Sequence, residues 1–386
     1  MRQVPTWTLV VALLLAGCRA VPLATPVASS EAPSASATPT PSSAATAQPS
    51  AAASGAASER PSPLTAMIGW TPITSSGPAA REDHTWTVAG TVGGDWALGG
   101  DGTTALLFGG RDGGTVFGDL WAFSFLDDSW YELPSEGGPA ARFGHEAVWV
   151  DGIGLVVFAG QNGPNFFNDL WAYDLEDETW RQLPSNGAVP VARYGTCAAV
   201  GPDGRLWISH GFTSDGVRFA DTRAYDFASG AWTDETPANG ARPVERCLHA
   251  CWWTEDGALA LFGGQTTGVT ALEDRWLLQD GAWSEDDRTA PPARNLYAAL
   301  RIADSMVVFG GQAPDGSYLD DFWQLRDDDF DALELTRGDE GPPARAGAAL
   351  VMDHWTGRGF LFGGRAADGA LADIWQFESL IGLPGG

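Results

Sequence analysis

A chain of 386 residues with a formal charge of −27 suits neither nucleic acid nor an anionic membrane surface, because both recruit positive charge. Its 18 tryptophans supply bulk for a large core. The acidic residues concentrate in the later, repetitive part of the chain, where they favour solubility.

The N-terminus reads as an export signal. Arg2 gives a short positive region, and Trp7 to Leu15 is a mostly apolar run, too short to span a bilayer. The run ends in Leu15-Ala16-Gly17-Cys18, which resembles a bacterial lipobox. The resemblance implies a signal peptide over 1–17, cleavage before Cys18 and a lipid on that cysteine. The address is then the cell envelope, outside the cytoplasmic membrane, with the lipid anchor as the sole membrane contact. Residues 18–66 are mostly Ala, Ser, Pro and Thr. Such a composition buries too little apolar surface to offset chain entropy and reads as a disordered tether, with an average span of roughly 40 Å.

From residue 67 to 386 the chain repeats. Trp70-Thr71-Pro72-Ile73 reads as a lone strand. Units then open on Pro78-Ala79-Ala80-Arg81, Pro139-Ala140-Ala141-Arg142, Arg193, Arg246, Arg294 and Pro343-Ala344-Arg345. About seventeen residues after each arginine comes a Gly-Gly pair or its replacement, at 109, 159, 210, 263, 310 and 363. The first unit takes 28 residues, which predicts an insertion of roughly eleven between Thr87 and Gly100. An Asp then follows, with Trp two residues on in five units: Asp119, Asp169, Asp221, Asp274, Asp321 and Asp373. A later Trp stands at 130, 180, 232 and 283, and the fifth unit has Phe330 where a Trp is expected. Within a unit, Glu146 to Val150, the turn Asp151-Gly152, Leu155 to Phe158, Leu170 to Tyr173 and Trp180 to Leu183 read as four short strands. A period near fifty residues marks a repeat architecture.

These units resemble kelch repeats over residues 68 to 377. The resemblance implies an all-β, six-bladed β-propeller with one four-stranded blade per repeat. The sixth unit stops after Phe377 without a late Trp strand, so Trp70 to Ile73 should complete the last blade and leave no open edge.

Six copies in one chain provide an internal control: what recurs in every copy serves the blade. The glycines lead into strands rather than a helix, so they do not form a phosphate cradle. The apolar residue two before each Asp (Phe117, Phe167, Phe219, Leu272, Leu319, Leu371) is read as core. His84, His145 and His249 share one register, where other units have Thr196, Tyr297 and Ala348, and are read as packing; neither a metal nor another cofactor is expected. Cys197, Cys247 and Cys251 lie on first strands of neighbouring units. Cys247 and Cys251 are too far apart along one strand to bond each other. Buried thiols are the favoured state, with Cys197 bonded to one of them as the alternative. The acidic runs Asp127-Asp128, Glu176-Asp177-Glu178 and Asp327-Asp328-Asp329 are read as a solvated rim.

The loops between second and third strands share a face with the linkers between blades. Their first residues are Arg111, Gln161, Phe212, Gln265, Gln312 and Arg365, joined by the non-repeating Asn165, Phe166, Arg218 and Tyr318. Phe166 and Phe212 are expected to be exposed. These ten form the candidate ligand site, suited to a protein patch or a glycan. The expected function is a monomeric binding scaffold, with no catalytic residues assigned. Because some bacterial kelch propellers resemble sialic-acid mutarotases, sugar processing is the alternative. Galactose oxidase, a copper enzyme with a kelch-type domain, is a remoter resemblance, since Tyr131, Tyr173 and Tyr225 read as structural.

Overall fold

The computed structural model describes residues 67–90, 102–302, 304–327, 333–337 and 340–378. The second unit shows the pattern. Glu146–Val150, Gly154–Phe158, Leu170–Asp174 and Thr179–Gln182 pair antiparallel in that order. Every residue of Gly154–Phe158 is buried, because each sheet stands edge-on to a central axis and packs a neighbour on both faces. The apolar core is divided accordingly into six clusters, one between each pair of adjacent blades. The molecule is a six-bladed β-propeller.

Closure follows the expectation. Trp70–Ile73 pairs antiparallel with Ile374–Glu378, Trp70 opposite Phe377. The Trp70 indole lies 5.0 Å from the ring of Phe377 and 5.3 Å from that of Phe309, so it fills the seam between blades five and six. Two blades carry an unanticipated fifth strand. Met67–Ile68 adds in parallel to Leu333–Arg337, and Asn186–Gly187 to Ala231–Asp234. Two-residue pairings have no periodicity for a sequence to display.

The repeated arginines make the joints. All six are fully buried. Each guanidinium grips its own unit: Arg246 Nη1 and Nη2 donate to the two carboxylate oxygens of Asp274 at 2.7 and 2.6 Å, and Nη1 also donates to the Gly263 carbonyl at 2.9 Å. The other five repeat this fork. Each backbone grips the unit before: Arg246 N–H donates to Phe219 O at 3.3 Å, and Arg246 O accepts from Gly211 N–H at 2.8 Å. One residue thus bolts two blades together. The following Trp completes the motif, Trp276 Nε1 donating to Asp274 Oδ2 at 2.7 Å; in unit three Arg223 takes this place. Burial alone would raise these six carboxyls, but the arginine bonds outweigh it and hold them below the usual carboxylate range. Their contribution is therefore present above the ordinary carboxylate pKa and lost as pH falls through the lowered one.

This network explains the glycines. At Gly109, φ is +64°, and a Cβ would stand 2.5 Å from the Arg142 carbonyl oxygen. It also corrects one expectation. Phe117, Phe167, Phe219, Leu272, Leu319 and Leu371 are all half-buried and lie outside the core clusters; the three phenylalanines cover guanidiniums, with Arg81, Arg142 and Arg193 standing 4.1 to 4.2 Å over their rings.

Two other expectations change. The expected insertion lies beyond the strand Thr85–Val88, and residues 91–101 lie outside the described residues. The acidic rim is solvated at Glu176 to Glu178, but Asp327 is half-buried, its carboxylate bonded to Arg301 and to the Trp252 indole. Asp328, Asp329 and Phe330 lie outside the described residues. Finally, Cys197 and Cys251 form a disulfide, and Cys247 is buried outside that bond. Cys197 points toward the fourth blade and Cys251 back toward the third, so the bond crosses their seam.

Closure predicts a contrast between two truncations. Deleting 20–65 should leave the unfolding midpoint unchanged. Deleting 20–73 should cost about 4–6 kcal/mol through loss of the buried Trp70 surface. Chemical denaturation of both proteins reads the difference.

Candidate functional site

The residue two after each staple arginine adopts a left-handed conformation: Asp83, Gly144, Gly195, Leu248, Leu296 and Gly347, with φ between 52° and 65°. Each N–H donates to the carbonyl of the preceding unit's equivalent, Asp83 to Gly347 and onward round the circle, at 2.7 to 3.3 Å. Six peptide groups therefore form a closed ring across the axis. Three of the six residues are not glycine and adopt a backbone state that L-residues disfavour.

Outside this ring, the residue one after each arginine forms an antiparallel bridge with the residue that follows the second glycine. The pairs are Glu82 with Arg111, Phe143 with Gln161, Tyr194 with Phe212, Cys247 with Gln265, Asn295 with Gln312 and Ala346 with Arg365. This confirms that the linkers and the loops after the glycines share one face, and it places twelve side chains there in known order.

The face is divided by chemistry. In blades six and one, Glu82 Oε1 lies 2.8 Å from Arg365 Nε and 3.3 Å from Arg111 Nε, while Asp83 Oδ2 lies 3.0 Å from Arg111 Nη2. Burial, aided by the Glu82 charge, raises Asp83 to about 6 despite the arginines. In blades two and three, four aromatic rings run edge to face: Phe143 to Tyr194 at 5.7 Å, Tyr194 to Phe212 at 6.4 Å and Phe212 to Phe166 at 5.8 Å. Arg111 stands 4.2 Å over Phe143 at one end, and Arg218 stands 5.5 Å from Phe212 at the other. Burial and the Asp83 charge push the Tyr194 phenol well above its usual range.

The ten residues predicted from sequence all lie on this face, but they divide. Phe166, Phe212 and Arg218 come together, the two rings half-buried rather than exposed. Arg111, Arg365 and Tyr318 gather around Glu82 and Asp83. Gln161 and Gln312 donate to carbonyls of their own loops, at Gly163 and Gly316. Gln265 turns to the Cys247 sulfur at 3.7 Å, and Asn165 is exposed in a hairpin opposite Asn162. The sequence reading missed Glu82, Asp83, Phe143 and Tyr194. Aligning the six copies on their arginines would have found them, because the next position is Glu, Phe, Tyr, Cys, Asn and Ala in turn and the one after it holds Asp83 where other copies have Gly or Leu.

Behind the ring, a cavity of about 130 Å³ is lined by the ring residues, Glu146 and the three histidines. The histidines do not converge. Each points into a separate seam, His84 against Phe362, His145 against Phe108 and His249 against His210. Burial and the neighbouring Arg81 push His84 down to about 3, and burial with Arg246 and Arg193 does the same to His210. They are neutral packing groups. Among the described residues, no cluster of His, Cys, Asp or Glu is arranged to hold a metal.

Glu146 differs from these, since burial alone raises it to about 8. A carboxyl raised in the fold contributes stability below its ordinary pKa and loses it as pH rises through the raised value. Glu146→Gln should therefore unfold less readily than wild type at pH 8 and similarly at pH 4.5, a divergence of at most about 1.4 kcal/mol per pH unit. Urea titrations across that window test it.

A family model described as the KLHDC2/KLHL20/DRC7 Kelch-repeats domain matches residues 69–264, just over half of the chain. No curated protein matches the chain.

Proposed function

The chain belongs to the kelch-repeat family, and from that we propose a protein-binding scaffold held in the cell envelope by a lipid on Cys18. The observation that carries the binding role is the run of four aromatic side chains between two arginines on the face of a rigid ring. Preorganised aromatic and arginine side chains are the usual anchors of protein interfaces. The rings meet edge to face, and guanidiniums overlie Phe143 and Phe212, which favours a protein segment over a flat sugar ring. Two carboxylates on this face, Glu82 and Asp83, are committed to Arg111 and Arg365, which favours recognition over acid–base chemistry there. The envelope address draws support from the lipobox resemblance and from the Cys197–Cys251 disulfide, a bond of oxidising compartments.

Capture from envelope extracts, followed by titration of each purified candidate, tests this reading. Phe166→Ala, Phe212→Ala and Arg218→Ala should each weaken binding about ten-fold at unchanged unfolding midpoint, while Asp177→Ala on the opposite face should not. Binding to a glycan array with the same dependence on Phe212 would replace the protein ligand by a sugar. In the same strains, Cys18→Ser should move the protein from membranes to the soluble exported fraction.

A further inference from the structure

Exposed apolar side chains are spread unevenly over the ligand face. Val189, Val191, Val217, Val244 and Val269 are exposed there, all over blades two to four; Val191 is 56% exposed, Val244 50% and Val217 48%. Among the described residues, the face carries no exposed large apolar side chain over the other three blades. The backbone sets these valines beside the aromatic run. Val191 is two residues before Arg193, which bridges to Phe167, next to Phe166. The intervening linker is tied down there, the Pro190 carbonyl accepting from the Asn168 amide at 3.0 Å. Val217 precedes Arg218, the register partner of Phe212. Val244 is two residues before Arg246, which bridges to Phe219. Arg218 Nη1 then donates to the Thr267 hydroxyl at 3.0 Å, joining the loop that carries Val269. Two before the arginine, the other four units have Ala or Pro, so a blade does not require valine at 191 and 244. The valines form an apolar arc that continues the surface of Phe166 and Phe212 outward, and an exposed apolar patch of this kind marks an interaction site.

We infer that this arc binds a protein segment that combines apolar side chains with arginine or lysine. The inference rests on the protein-binding reading above and adds the partner's chemistry. The exposed charges decide it. Asp215, Glu245 and Glu273 stand beside the arc and Asp315 and Asp368 on loop tips farther round the face, against the exposed Arg242. Glu82 and Asp83 are already matched by Arg111 and Arg365, so the field left over the face is negative and complementary to a basic partner. A second copy of the chain, with its charge of −27, would meet like charge, as would an acidic segment.

Selection of short peptides from an unbiased displayed library against the full chain, followed by affinity titration of the enriched sequences, tests the inference. The enriched peptides should combine apolar residues with arginine or lysine. Their binding should weaken about ten-fold in Val217→Ser/Val244→Ser at unchanged unfolding midpoint, and about three-fold in Asp215→Asn/Glu245→Gln. It should also fall as salt is raised. The charge pair keeps the test decisive if the valine pair disturbs the fold. Acidic or uncharged peptides that depend on Phe212 would leave the protein-binding reading standing and overturn this inference. Binding indifferent to both pairs also overturns it. If no enriched peptide depends on Phe212, the reading and the inference fail together.

Discussion

The rest of the structure depends on one buried ion pair, repeated six times. An arginine with no exposed surface forks onto an aspartate and a glycine-position carbonyl of its own repeat, as Arg246 does with Asp274 and Gly263. Its backbone is meanwhile held by the repeat before, through Phe219 and Gly211. A buried charge is costly unless paired in good geometry, and here the fork, the carbonyl and the neighbouring Trp276 indole provide that geometry. The arrangement brings each linker to the same place on the axis. The six residues that follow the arginines can then close their peptide ring, and the side chains between arginine and ring are presented on one face.

This explains which parts were legible in the sequence. Arg, Gly-Gly and Asp-x-Trp recur because a single network needs all of them, so their spacing exposed the propeller and its closure through Trp70. Copies that depart from the motif are matched across the seam. His210 replaces a glycine and packs against His249, whereas Gly109 faces His145. The ligand face was harder to read. The loop residues Arg111 and Phe212 were found because they follow the glycines. Glu82, Phe143 and Tyr194 sit one position after an arginine and differ in every copy, so they look like linker until the bridges show them beside the loop residues. The disulfide was ambiguous for a related reason. Cys197 and Cys251 occupy different positions in their repeats, and only the opposed directions of their side chains across the seam select this pair.

The face is also where the local rules are broken. Asp83, Leu248 and Leu296 hold left-handed backbone in positions that glycine fills in the other three blades. Asp83 is buried beside Glu82 and Arg111, and its carboxyl is raised to about 6. Departures of this kind persist only where the surroundings enforce them, and they gather at functional surfaces. They lie on the same face as the aromatic run, on a floor that the peptide ring makes rigid.

The most direct measurement is a double-mutant cycle between Arg246 and Asp274, read by equilibrium unfolding. If the buried pair bolts the blades, Arg246→Leu alone should cost about 3–5 kcal/mol. Arg246→Leu with Asp274→Leu should then cost clearly less than the sum of the two single changes. An Arg246→Leu protein within about 0.5 kcal/mol of wild type, or strictly additive losses, would contradict the account and return the joints to apolar packing alone.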